Sequence, residues 1–138
     1  MGMFDALRVT GSALTAGRMR MDVIAENMAN VETTRTPEGG PWRRRQVVLR
    51  AEPVSGGPGG ISCNGVRVDA VEHDPGPLMR VHRPGHPDAD AEGYVQMPNV
   101  DLPTEMADMM VAARAYEANA AALRMGREMV ETSLSILA

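Results

Sequence analysis

The densest grouping of chemically able side chains is His82-Arg83-Pro84-Gly85-His86-Pro87-Asp88-Ala89-Asp90, with two imidazoles and two carboxylates in nine residues. Zinc and similar metals are held by such groups, so a metal-dependent enzyme using His82, His86, Asp88 and Asp90 is one reading. Two prolines and a glycine interrupt the run, so no helix sets His82 and His86 on one face, and no known ligand spacing is matched. A structured, solvent-facing loop fits the composition better. Trp42-Arg43-Arg44-Arg45 joins an aromatic to three cations, as phosphate-gripping patches do, yet a strand would divide these side chains between two faces. A formal net charge of −4 gives no general attraction to nucleic acid or anionic membrane, so a protein contact or a solvated edge is favoured. The lone Cys63 has no internal disulfide partner and no His nearby to generate a thiolate, and reads as a passive surface residue. With no Gly-rich phosphate loop, nucleophile elbow or His/carboxylate pair on a helix, the expectation is no enzyme, no cofactor, no catalytic or metal residue and no small-molecule substrate.

The elements around these residues are more informative. From Leu102 to Leu137 core-type positions fall at Leu102, Met106, Met109, Ala113, Tyr116, Ala120, Leu123, Arg127, Val130, Leu134 and Leu137, in steps alternating four and three. That 3.5-residue repeat is a coiled-coil seam, interrupted only by Arg127. The resulting rod of roughly 54 Å exceeds what a compact domain of this size needs and calls for partners along its length. Asp101 supplies an N-cap, Pro103 suits the first turn, and Glu105 places negative charge where the helix dipole favours it. A second, shorter seam runs from Phe4 to about Asn30, with Leu7, Leu14, Met21 and Met28 seven apart and Ile24 and Val31 between them. Gly11 and Gly17 weaken it, each by about 1 kcal/mol relative to Ala, and small residues there would let the Ala-rich C-terminal helix approach. The two seams are expected to pair with each other or with copies in an assembly.

Between them, Thr33 to Pro41 breaks the first helix. Residues 42–50, 65–71, 78–81 and 94–97 read as strands separated by Pro/Gly turns. The expected fold is α+β: residues 1–31 and 102–138 as long terminal helices pairing in a coiled-coil-like element, with a small antiparallel β-rich element or loose meander in 32–101. Four aromatics and twelve methionines suit thin helical seams better than a thick core. No stretch approaches the roughly 20 apolar residues of a membrane span, and residues 1–6 lack the features of a cleaved signal peptide or a myristoylation site. Without a family to place it, a free-standing coiled-coil adaptor or chaperone would carry the same seams.

The motifs narrow this. Ala25-Glu26-Asn27-Met28-Ala29-Asn30-Val31-Glu32-Thr33 looks like the Asn-x-Ala-Asn-x-x-Thr signature of the bacterial flagellar axial proteins, and Arg114-Ala115-Tyr116-Glu117-Ala118-Asn119 is similar to their Arg-x-Tyr-Glu-x-Asn signature. The loops Thr33 to Pro41 and Pro84 to Val95, with Met97-Pro98-Asn99-Val100, resemble those of the FlgC-type proximal-rod proteins. Trp42 stands where that family usually has Tyr, Met28 where it has Ile, and the linker from Pro53 to Cys63 is unusually Gly-rich. The resemblance implies a non-enzymatic subunit of the flagellar basal-body rod in the periplasm, exported through the flagellar type III apparatus without signal cleavage. It implies helical assembly with other rod proteins and copies of itself, carrying torque from motor to hook. The expected assembly interface comprises Leu7, Leu14, Met21, Asn27, Met28, Asn30, Met109, Tyr116, Asn119, Leu123, Val130 and Leu134, with Asn27, Asn30 and Asn119 fixing register between helices as core amides do.

Overall fold

Apolar residues at three- and four-residue steps carry both ends of the chain into helix. The computed structural model describes residues 3–54 and 63–137, with helix α1 at Met3–Ala29 and helix α2 at Leu102–Leu137. Asn30 closes α1: its backbone N–H reaches the carbonyls of Glu26 (3.1 Å) and Asn27 (3.2 Å), and its side-chain amide donates to Glu26 (2.8 Å), satisfying carbonyls that a helix end leaves open. Asp101 caps α2 as expected, its carboxylate accepting from the Thr104 N–H (3.2 Å) and hydroxyl (2.5 Å).

The β-segment is two separate antiparallel hairpins. Strand β1 (Arg45–Val54) pairs with β2 (Cys63–His73), with a register shift between Val48 and Leu49, and β3 (Met79–His82) pairs with β4 (Tyr94–Met97). The expectation of a strand from Trp42 fails at its start. Arg44 N–H donates to the Asn99 side chain (2.8 Å) and its carbonyl accepts from Asp74 N–H (2.7 Å), which takes this segment out of the ladder. The Gly56 to Gly60 stretch and the side chain of Cys63 lie outside the described residues. A two-stranded hairpin alone is marginal in water, and the first one leans on α1. Ser12 Oγ accepts from Val66 N–H at 3.0 Å while donating to the Val9 carbonyl at 2.7 Å. The strand comes so close there that a Cβ on Gly65 would stand 2.9 Å from Ser12 Oγ and 3.2 Å from Val54 Cγ2.

The two helices pair with each other, antiparallel. Asn27 meets Glu105, Gly17 meets Tyr116 and Leu7 meets Gly126, so partners on α1 retreat by ten as those on α2 advance by ten or eleven. Beyond Val130, α2 runs on past the start of α1 by about 10 Å. The seam on α2 departs from the expected one at Met106 and Arg127, while the expected Ala113 and Ala120 are half-buried beside Ala112 and Asn119. Glu105 and Ala112 are buried, and Asn119 and Gly126 are half-buried, whereas Met106 is 51% exposed and the Arg127 side chain is 72% exposed. The true stripe therefore combines Met109, Tyr116, Leu123 and Val130 with Glu105, Ala112, Asn119 and Gly126. Arg127 breaks no stripe: it lies one residue off it, within 3.9 Å of Glu131 on the solvent side. The close approach attributed to Gly11 is also corrected, because nothing lies within 4 Å of a Cβ built there. The glycine pressed by the partner helix is Gly126, where a Cβ would stand 2.8 Å from Leu7 Cδ2.

The core is thin: Ala16, Val23 and Ile24 of α1, Ala112 of α2, Val95 and Met97 of β4, and Val100. Gly65→Ala should lower unfolding free energy by about 1–3 kcal/mol through overpacking against Ser12, read by urea denaturation. Gly11→Ala, in open space on the same helix, should be neutral or stabilising by up to about 1 kcal/mol. Equal effects would disprove the close approach at Gly65.

Candidate assembly interface and its polar knot

One group of polar side chains joins α1, the start of β1, the loop after β2 and the start of α2. Glu105, in the first turn of α2, is completely buried, and Asn27, in the last turns of α1, is 1% exposed. Arg44 Nε donates to Glu105 Oε1 at 2.5 Å, and Asn27 Nδ2 donates to Glu105 Oε2 at 3.2 Å. The same Asn27 amide brackets the start of β1, donating to the Arg45 carbonyl (2.8 Å) and accepting from the Arg45 N–H (2.9 Å) and more weakly from Trp42 Nε1 (3.4 Å). Asn99, two residues before the cap of α2, accepts from Arg44 N–H at 2.8 Å and donates to the carbonyls of Asp74 and Gly76. The Glu105 hydrogen bond first, then the charges of Glu105, Asp108 and Asp74, raise the Arg44 guanidinium above its ordinary value and outweigh its partial burial. A buried carboxylate is tolerable only with such compensation. Here compensation and fold are the same contacts.

The clusters singled out in the sequence are dispersed by this geometry. Of the three arginines after Trp42, Arg44 enters the knot, Arg45 pairs with Glu26 (2.9 Å) beside the Trp42 ring, and only Arg43 faces water unpaired among the described residues. The His82 to Asp90 segment forms the tip of the second hairpin. His86 Nδ1 accepts from Asp88 N–H (3.1 Å), and His82 packs edge-on to Tyr94. The Asp90 carboxylate accepts from the N–H groups of Glu92 and Tyr94 and from Arg80. Among the described residues no group of His, Cys, Asp and Glu converges as metal ligands. The Asp88 carboxylate instead accepts from Thr34 Oγ1 (2.8 Å) and pairs with Arg35, tying the loop after α1 to the hairpin tip. The Thr34 hydroxyl, then Arg35, hold the Asp88 carboxyl below its ordinary value. The Tyr94 N–H, then Arg80, do the same for Asp90.

The residues expected at an assembly interface fall into three groups. Asn27 is buried in the knot, and Leu7, Met109, Tyr116, Asn119, Leu123 and Val130 are half-buried on or beside the intramolecular seam. Leu14, Met21, Met28 and Asn30 are half-buried on α1. The bonds of Asn30 are local, to Glu26 and Thr33, so within this chain it closes a helix and does not bridge two. Leu134 points to the seam side but is 62% exposed because α1 has ended there. Elsewhere on α2 large apolar side chains face water in two clusters, Met106 and Met110 (58% exposed) near its start and Met125, Met129 (63%) and Ile136 (78%) towards its end, with the exposed Arg114 and Glu117 between them. Sequence reasoning passed over Glu105, Ala112 and Gly126 because a charge, a methyl group and a glycine do not score as core. Their strict seven-residue spacing with Asn119 was the available signal.

Two terminal helices bracket the β-hairpins, and both helical ends match family models of flagellar rod proteins. The model described as flagella basal body rod protein matches residues 7–35, and that described as flagellar basal body rod FlgEFG protein C-terminal matches residues 91–136. The chain is 43% identical over 151 residues to the flagellar basal-body rod protein FlgC of Borreliella burgdorferi, covering 99% of both chains. It is 41% identical to that of Bacillus subtilis, again over 99% of each, and 40% identical to that of Escherichia coli O157:H7, over 99% of this chain and 98% of the relative. The chain belongs to the FlgC-type flagellar basal-body rod proteins.

Glu105→Ala, which strands Arg44 and Asn27, should cost about 3–5 kcal/mol in urea unfolding. Arg50→Ala, which removes the exposed pair with Asp69, should cost under about 1 kcal/mol. A depressed carboxyl stabilises the fold above its unfolded value and loses that contribution as pH falls through the folded one. The Thr34 and Tyr94 signals should accordingly titrate below the ordinary carboxyl value of 3.8, with Asp88→Asn abolishing the Thr34 transition in an NMR titration.

Proposed function

We infer that the chain is a structural subunit of the flagellar basal-body rod, located in the basal body and assembling with other rod proteins. The observation that carries this reading is the uncovered apolar surface on α2. Two clusters of large apolar side chains facing water, Met106 with Met110 and Met125 with Met129 and Ile136, mark interaction surfaces. A helix pair that already buries its mutual seam has these clusters left for neighbours. The clusters and the overhanging end around Leu134 and Ile136 pack against adjacent subunits, while the half-buried Leu14, Met21 and Met28 of α1 and Asn119 of α2 add contacts at the margins. Repeated around an axis, such contacts build a helical wall that carries torque between motor and hook. The knot at Glu105 supports that role by transmitting load between helices and hairpins without relying on a thick core. A thin core is also compatible with passage through the flagellar type III apparatus as an unfolded chain, with the helix pair forming after export.

Deleting the gene in its host should abolish motility, and the unaltered chain should restore it. A Met110→Asp/Met129→Asp variant should fold with unchanged circular dichroism and melting temperature yet fail to restore motility. Full swimming with that variant would sink the assignment of the two clusters to assembly.

A further inference from the structure

Away from the helix pair, the loop after α1 and the start of β1 enclose a groove of about 450 Å³. Its walls include Pro37, Pro41 and Trp42, its charged lining is Arg35, Glu38, Arg43 and Arg45, and His73 lies at the same groove. The floor is pre-shaped. Gly39, which lines it, and its neighbour Gly40 take the left-handed conformation (φ 92° and 77°), and Thr36 N–H closes the turn onto the Gly40 carbonyl at 2.9 Å. One charge of the groove, Arg43, is unspent. Arg43 and His73 have no side-chain hydrogen bond or ion pair among the described residues, and Arg45, although paired to Glu26 through Nη1, leaves Nε buried with no acceptor. The exposed guanidinium edge of Arg43 is shaped to meet a carboxylate. Arg35, at the same groove, is already taken by Asp88.

We propose that this groove binds a carboxylate-bearing peptide segment of a neighbouring protein, seating a glutamate or aspartate side chain on Arg43 and Arg45 and the adjoining aliphatic residue on Trp42 and Pro41. The apolar walls suit a peptide stem better than a bare anion. Glu38 at the lip and the chain's net charge of −4 disfavour a polyanion such as nucleic acid. The inference stands on the groove alone and does not depend on the apolar clusters of α2 or on the neighbour's being a rod protein.

Trp42 is the only tryptophan of the chain, so its fluorescence reports the site in the intact protein. The probe is a blocked Ala-Leu-Glu-Leu-Ala peptide, compared with its glutamine counterpart. The glutamate peptide should give a saturable change and bind at least about tenfold more tightly, the worth of a charge-assisted contact. Arg43→Ala, which removes no side-chain hydrogen bond or ion pair among the described residues, should weaken it at least about fivefold with melting temperature unchanged, while Arg50→Ala on the far part of the hairpin should leave binding intact. Equal binding of the glutamine peptide, indifference to Arg43→Ala, no saturation by about 10 mM, or tighter competition by a single-stranded oligonucleotide would each overturn the proposal.

Discussion

A carboxylate withdrawn from water must be matched by cations and donors, and Glu105 is withdrawn completely, at the first turn of a 36-residue helix. Its two oxygens are met by Arg44 from the approach to β1 and by Asn27 from the end of α1. Because Asn27 also binds both polar backbone groups of Arg45, and the Arg44 backbone is held by Asn99 and Asp74, α1, α2 and the start of β1 cannot shift against one another without breaking these hydrogen bonds. Apolar contacts slide at modest cost when one alanine replaces another. Buried polar partners do not, and a polar residue at a helix-packing position is the best-attested device for fixing register.

From that fixed end the helix pair extends with little else to hold it. Ala112, Ala16, Val23 and Ile24 supply its tight contacts, and towards the far end Gly126 admits Leu7. So slender a core leaves α2 with more apolar surface than the chain itself can cover. In an isolated protein that would be a liability, and under the proposed function it is surface available to neighbouring subunits. The β-hairpins stand to the side of the pair, the first pressed on α1 at Gly65 and Ser12, the second braced to the loop after α1 by Asp88, Thr34 and Arg35.

Much of this was legible before the coordinates. Both helices, the cap at Asp101 and the positions of β3 and β4 follow from periodicity and turn residues, whose causes are local. The family was legible too, from the Asn27 to Thr33 and Arg114 to Asn119 motifs. What escaped was long-range. Nothing near Glu105 in sequence says that an arginine 61 residues earlier will bury it, so it passed for a dipole-favoured surface acid. For the same reason the seam was drawn through Met106 and Arg127 in place of Glu105 and Gly126, since hydrophobicity ranks the wrong neighbour when the partner is an arginine or when the space is needed for a leucine. The His82 to Asp90 cluster misled in the other direction. Its groups are near one another in sequence, but each bonds to a different partner.

The central claim is that the polar knot at one end sets the antiparallel register at the other. Disulfide trapping tests it most directly, using Leu7→Cys and Gly126→Cys in a Cys63→Ser background, with and without Glu105→Ala, in protein recovered from assembled basal bodies. The account predicts an efficient cross-link within one chain that falls sharply when Glu105 is removed. Cross-links only between chains, or an undiminished intrachain yield without Glu105, would contradict it.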